Sequence, residues 1–197
     1  MWYFSWILGL LLACSLGIIN VLRLEAQEAL AKEAIILDPL TQLLTKASIL
    51  PRLREKVDNS KRNGSPFSLV FISLKPFLQQ HPLMQTELDS ILREIVDILK
   101  KDIRIGLDLA ARFDQACFLL TLTGAPLHKA EEVATKIQQD VLNQVLTLSK
   151  IPVQVQSGAA EYSVHTPEFN ATIQNLDQQV HALIEIAQKN CCVRHSI

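Results

Sequence analysis

The run from Met1 to Leu22 contains no Lys, Arg, Asp, Glu or His, and no other stretch constrains so strongly what the chain can fold into. Its polar residues are Ser5, Ser15 and Asn20. A helix rises about 1.5 Å per residue, so this length spans a hydrocarbon core of about 30 Å. Trp2, Tyr3 and Trp6 cluster at one end, as in the aromatic belt of a membrane interface. Arg23 and Lys32 lie on the other side. The positive-inside rule then weakly favours a single-pass chain with its C-terminal part in the cytoplasm. A cleaved signal peptide would need a basic region ahead of the apolar run, and there is none. Leu11-Leu12-Ala13-Cys14 offers an alternative, a lipobox that would lipidate Cys14 and put the domain outside the cytoplasm. The missing basic residues and the apolar run beyond Cys14 count against it.

Residues 23–37 read as a helical linker, because the stretch from Asn20 to Leu37 has neither Gly nor Pro. Leu22, Ala26, Ala29 and Ile36 fall at heptad-like spacing, but Glu33 breaks the seam. An alanine-rich seam with a charge in it favours one helix continuing out of the membrane. A parallel homodimer through residues 20–37 stays open, although the seam is shorter than a coiled coil needs. Asp38 precedes Pro39 and is pushed out of the helical region, which ends the linker.

The rest of the chain reads as strands covered by helices. A helix is expected over residues 48–62 with Ser48 as its cap, followed by a turn at Asn63-Gly64-Ser65-Pro66. The apolar run 67–74 reads as a strand buried on both faces. Leu88, Ile91, Leu92, Ile95, Val96 and Leu99 make one stripe of a helix over 84–101. Segments 107–113 and 116–122 read as a hairpin turning at Asp114-Gln115. A helix over 127–148, a strand over 152–160, and a last helix marked by Ile173, Leu176, Val180, Leu183, Ile184 and Ala187 follow. Apolar residues are 49% of the chain, enough for a full core, and the net charge of -1 lacks the basic excess expected of a nucleic-acid surface. Six Gly in the whole chain argue against a glycine-rich phosphate loop.

Two stretches carry a resemblance. Ala111-Arg112-Phe113, then Phe118, resemble the signature hairpin of the GGDEF domain of diguanylate cyclases, Ala-Arg-aromatic-Gly-Gly-Asp/Glu-Glu-Phe. Asp38-Pro39-Leu40-Thr41-Gln42-Leu43 resembles the family's opening Asp-Pro/Ala-Leu-Thr-Gly-Leu, with Gln42 as the departure. Gly158 and Ala160 match Val-Ser-x-Gly-x-Ala, and Ala182-Leu183 match the last helix, with Ala187 where the family has a Lys. The resemblance covers residues 38–190 and leaves 191–197 as a tail. It implies an α/β (α+β) fold with a mostly antiparallel sheet of about five strands flanked by helices.

The positions that carry the family's chemistry depart from it. Asp114, Gln115, Ala116 and Cys117 replace Gly, Gly, Asp/Glu and Glu. Ser73 and Lys75 stand where the family has Asp-x-Asp, whose first Asp holds magnesium. A hydroxyl and an ammonium are poor substitutes for hard anionic oxygens. His81 stands where an Asn would contact guanine, and Asp89 meets the second guanine contact if one loop residue is deleted. Asp89 also reads simply as an acid that suits a helix start. In the inhibitory Arg-x-x-Asp site Asp108 matches, Ile105 takes the Arg position, and Arg104 is one residue away.

Other chemistry is sparse. Cys191-Cys192 and His195 do not make a spaced metal set, and His81, His128, His165, His181 and His195 are scattered. The expectation is therefore a degenerate GGDEF-like domain on a membrane anchor. It holds no catalytic, cofactor or metal residues, is not an enzyme, and serves as a protein-interaction or regulatory module of a membrane complex in cyclic di-GMP signalling. The hairpin face would be free to contact protein. A structural subunit of an envelope assembly, a diverged diguanylate cyclase and a nucleotide receptor are the alternatives.

Overall fold

The structure is a computed structural model and describes residues 2–104, 106–145, 153–163 and 175–193. The chain divides between Ile36 and Leu37 into two units. The first is a single helix, α1 (Trp2–Ile36). Its Trp6–Arg23 stretch has a mean hydropathy of 1.9 and is long and apolar enough to cross a membrane. Ile7, Leu8, Leu10 and Leu12 are exposed around its circumference. A helix apolar all round needs lipid or another membrane protein on every side.

The second unit is a five-stranded sheet in the order β1-β3-β4-β2-β5, built from β1 (Leu44–Thr45), β2 (Phe67–Ser73), β3 (Leu109–Asp114), β4 (Cys117–Thr123) and β5 (Gln156–Tyr162). Among the described residues only the β1–β3 pair is parallel. The helices are α2 (Lys46–Asn63), α3 (Lys75–Gln80), α4 (Gln85–Asp102), α5 (Leu127–Val145) and α6 (Leu176–Val193). This is the mixed fold expected from the sequence.

Alternation along β2 explains the layering. Val70 and Ile72 point into a core shared with Leu92, Ile95 and Leu99 of α4. Leu69 and Phe71 point the other way, into a core shared with Leu53 of α2 and Leu183 of α6. Every residue of β2 is buried, as its unbroken apolar run requires. Each fully buried Leu or Ile in these layers contributes roughly 1.5–3 kcal/mol relative to exposure.

Several boundaries differ from the sequence reading. The N-cap of α2 is Thr45, whose hydroxyl accepts the Ser48 N–H, so the helix starts before Ser48. Gly64 closes α2 at φ 66°, a left-handed position that favours glycine. The hairpin turns at Gln115-Ala116 instead of Asp114-Gln115, because Asp114 still pairs with Cys117 after β3 shifts register. β5 begins at Gln156 and runs past residue 160 to Tyr162. α6 continues to Val193, past residue 190, because Cys191 is buried against the sheet. A Cβ on Gly158 would lie 2.1 Å from Cys191 N and 2.3 Å from Ala187 O, so glycine alone lets α6 lie this close to β5. Residues 146–148, Pro152 and Ile173, placed in elements by the sequence reading, lie outside the described residues, as do His165 and His195.

Candidate functional site

The hairpin is held in place by the segment that opens the domain. Asp38 Oδ1 accepts the Thr41 N–H and the Thr41 hydroxyl, both at 2.8 Å. Arg112 on β3 donates Nη1 to both oxygens of Asp38 at 3.1 Å, and its Nη2 donates to the Gln115 carbonyl at 3.0 Å. One guanidinium thus ties the opening turn to the tip of the hairpin. Burial alone would raise the Asp38 carboxyl, but Thr41 and Arg112 outweigh it and hold it below the usual range. Gln42 sits at φ 55°, where a side chain is strained, and its Nε2 donates to the Pro39 carbonyl at 3.2 Å. Neither tie is visible from spacing alone; the joint presence of Asp38 and Arg112 in the two resembling stretches was the only signal.

At the hairpin tip six of the expected positions come together. Ser73 ends β2 and is buried, and its Oγ receives the Cys117 Sγ–H at 3.5 Å and the Lys75 N–H at 3.2 Å. Burial pushes the Cys117 thiol up, which keeps it protonated and unreactive. Ala116 is buried, and its carbonyl accepts the Leu74 N–H at 2.9 Å. Lys75 Nζ lies 2.5 Å from Asp114 Oδ2, while Asp114 Oδ1 accepts the Gln115 N–H at 2.8 Å. Both bonds favour the charged carboxylate and hold Asp114 below its ordinary range. An open cleft of about 360 Å³ lies alongside, lined by Lys75, Leu78, Gln79, Leu88, Asp114 and Gln115 among others.

The other expected positions lie apart from this cleft. His81 closes α3, with its ring 5.1 Å from that of Phe77. Asp89 accepts from Gln85 Nε2 at 2.8 Å within α4. Neither lines the cleft. Asp108 is buried elsewhere, caged by Arg104 Nε and Nη2 at 2.8 Å each, by the Arg104 N–H at 3.2 Å and by the Thr123 N–H at 2.9 Å. Burial works to raise its pKa, but this cage wins and lowers it. Arg104 also donates to the Thr123 carbonyl at 2.7 Å, so its guanidinium is committed inside the domain. Ile105, the residue at the family's Arg position, lies outside the described residues.

The donor set does not suit a divalent metal. Ser73 and Ala116 present a neutral hydroxyl and a methyl group where anionic oxygens would be needed. Among the described residues, no three His, Cys, Asp or Glu side chains gather where they could hold an ion.

The family model described as "Diguanylate cyclase, GGDEF domain" matches residues 35–189. The chain belongs to the GGDEF family. The diguanylate cyclase DosC of Escherichia coli (strain K12) is 24% identical over 169 residues, covering 83% of this chain. The GGDEF chain spans about a third of that relative, 36% of its length. The solved GGDEF domain of FimX from Pseudomonas aeruginosa has the same fold, with a TM-score of 0.64 at 17% identity, covering 80% of this chain and 94% of that one. A second model, "Membrane bound YbgT-like protein", matches residues 1–27. The cytochrome bd-I ubiquinol oxidase subunit X of E. coli (strain K12) is 66% identical over 29 residues, 15% of this chain and 78% of that protein. The N-terminal segment of this GGDEF protein is thus a member of the YbgT-like membrane family.

Family membership corrects the expectation that the chain is not an enzyme. The matching model describes diguanylate cyclases and DosC is named as one, so this domain sits in an enzyme family. Substitutions at the hairpin change which ligands are offered, and they do not remove the fold and frame that define that family.

Proposed function

We propose that this chain is a small, GGDEF-bearing subunit of a bd-type ubiquinol oxidase in a bacterial inner membrane. In this reading α1 seats in the oxidase, and the GGDEF domain acts as a regulatory, protein-contacting module linking that complex to cyclic di-GMP signalling. The observation that carries it is the 66% identity between residues of α1 and oxidase subunit X. A helix that only met lipid would need apolar character and little else, since Leu, Ile, Val and Phe serve lipid equally well. Helices that pack against other membrane helices are selected for the shape of particular side chains. Identity at the level of residues therefore supports a protein neighbour for α1.

The test is affinity purification of the tagged full-length chain from membranes of its host, reading cytochrome bd absorbance in the eluate. Co-elution that disappears when residues 1–27 are replaced by an unrelated transmembrane helix supports the proposal. Elution without the oxidase contradicts it. The proposed orientation places the domain in the cytoplasm, because Arg23 and Lys32 follow the apolar run. A reporter fused after Ile197 should then be active only as a cytoplasmic fusion. A periplasmic signal, or a diacylglyceryl group on Cys14, would reverse it.

A second reading, a diverged diguanylate cyclase, is favoured by the family itself. Conversion of GTP to cyclic di-GMP by the purified full-length chain, lost on Gln115→Arg, would select that reading. The oxidase-subunit reading needs no turnover.

A further inference from the structure

A second cleft, of about 370 Å³, opens beside the sheet edge where the domain begins. Its apolar walls are Leu37, Leu43, Leu44, Ile103, Leu109 and Ala110, and every lining residue belongs to the second unit. The gap follows from the shortness of β1. That edge strand has two residues and pairs with Ala111 and Arg112, so among the described residues Leu109 and Ala110 of β3 have no strand beside them on that side. α2 and α4 line the gap through Arg52 and Lys100 without filling it. Its volume falls in the range of small-molecule sites.

Arg52 and Lys100 are the cations of this cleft. Both are exposed, and among the described residues neither makes a hydrogen bond or an ion pair. Asp108 lines the cleft as well, but its oxygens are taken by Arg104 and by the Thr123 N–H. The Arg104–Asp108 pair is neutral in sum, so Arg52 and Lys100 stay uncompensated. Gln42, held at φ 55°, is on the wall too, and strained backbone clusters at ligand sites. This mixture selects the ligand. The walls favour a hydrocarbon body. A carboxylate matches the planar guanidinium fork, and Lys100 supplies a second charge. An alcohol with the same chain would leave both cations unused, and a small polar anion would leave the walls wet.

We propose that this cleft takes a long-chain carboxylate, its head on Arg52 and Lys100 and its hydrocarbon chain against Leu43, Ile103 and Leu109. Free long-chain acids gather in bilayers, and α1 is long and apolar enough to cross one. Such a ligand joins the opening turn, α2, α4 and β3, and so stiffens the entrance of the domain. The cleft shares no lining residue with the one at the hairpin tip. Its occupant is independent of what neighbours α1.

The experiment is photolabelling of the full-length chain, reconstituted in phosphatidylcholine nanodiscs, with hexadecanoate that carries a diazirine near the end of its chain. Mass spectrometry locates the adducts. Adducts on α1 report the bilayer alone, and adducts on Leu43, Ile103 or Leu109 report the cleft. Unlabelled hexadecanoate should compete the cleft adducts away, and hexadecanol should not. Arg52→Gln should lower cleft labelling by about tenfold, the scale of losing a charge-assisted contact, and Lys100→Gln should lower it too. Both side chains are exposed, so both variants should melt close to the wild type, which shows that they fold. Cleft labelling that hexadecanol removes equally well, or that survives Arg52→Gln and Lys100→Gln combined, would overturn the proposal. Labelling confined to α1 would overturn it, as would displacement by cyclic di-GMP, which would assign the cleft to a nucleotide.

Discussion

Arg112 reaches Asp38 across 74 positions of chain, with one Nη1 donating to both carboxylate oxygens at 3.1 Å. The side chains are 14% and 17% exposed, so the pair is well shielded from water. It joins the first turn of the domain to the hairpin, whose tip the same guanidinium grips through the Gln115 carbonyl. The position of the hairpin therefore depends on this one guanidinium.

This clamp gives a pH signature. Burial pushes the Asp38 carboxyl up, but the bonds from Thr41 and Arg112 bring it below the ordinary carboxylate range. A depressed carboxyl contributes stability that is fully present above its unfolded pKa of about 4 and is lost as pH falls through the lower folded value. Asp38→Asn should lower stability at neutral pH by about 2 kcal/mol, the scale of hydrogen bonds to a charged group. It should also flatten the acid limb of a plot of melting temperature against pH. A wild-type slope retained in Asp38→Asn would assign that limb to other carboxyls.

Gln42 gives a prediction of opposite sign. At φ 55° it carries the strain of a side chain in the left-handed region, about 1–2 kcal/mol, in the position where related openings have glycine. Glycine adds back roughly 0.5–1 kcal/mol of unfolded-state entropy. Gln42→Gly should thus stabilise the domain by about 0.5–1 kcal/mol, the difference between these two. Chemical denaturation of the two proteins side by side checks it, and a loss of stability would show that the Gln42 bond to the Pro39 carbonyl matters more than the strain.

Much of this fold was legible in the sequence where periodicity or an unbroken apolar run carried it. β2 reads directly because every residue is buried, and α4 because its stripe recurs at helical spacing. β1 was not legible. It has two residues, and its strand character comes from pairing with Ala111 and Arg112, not from its own composition. α3 escaped notice because six residues containing Pro76 show no period. At the site, the substituted positions could be named from the hairpin and strand motifs. What they do instead could not: the Lys75–Asp114 pair is a tertiary contact whose spacing has no signature, and Arg104, close to Asp108 in sequence, stands one residue off the expected position although it pairs with Asp108 directly. The turn was misplaced by one residue because a register shift between Arg112 and Asp114 leaves no mark on the alternation.

Gly158 predicts a severe effect from a small change. A Cβ there would come within 2.1 Å of Cys191 N, and backbone cannot yield as a flexible side chain would. Gly158→Ala should cost about 1–3 kcal/mol as α6 is pushed from the sheet, and Gly158→Val more. Melting curves of both variants measure it. An unchanged melting temperature in Gly158→Ala would mean that α6 shifts freely, against the bond from Asn190 Nδ2 to the Ala159 carbonyl at 2.9 Å.

The neighbour of α1 is the point on which the proposed function turns, and it can be read in the membrane itself. Photo-reactive residues placed one at a time at Ile7, Leu8 and Leu10, all exposed on α1, sample different sides of the helix. If α1 is seated in a bd-type oxidase, irradiation of intact membranes should join the chain to a large oxidase subunit from one side of the helix and not from the others. Adducts only between two copies of this chain, or no protein adduct from any of the three positions, would contradict the account.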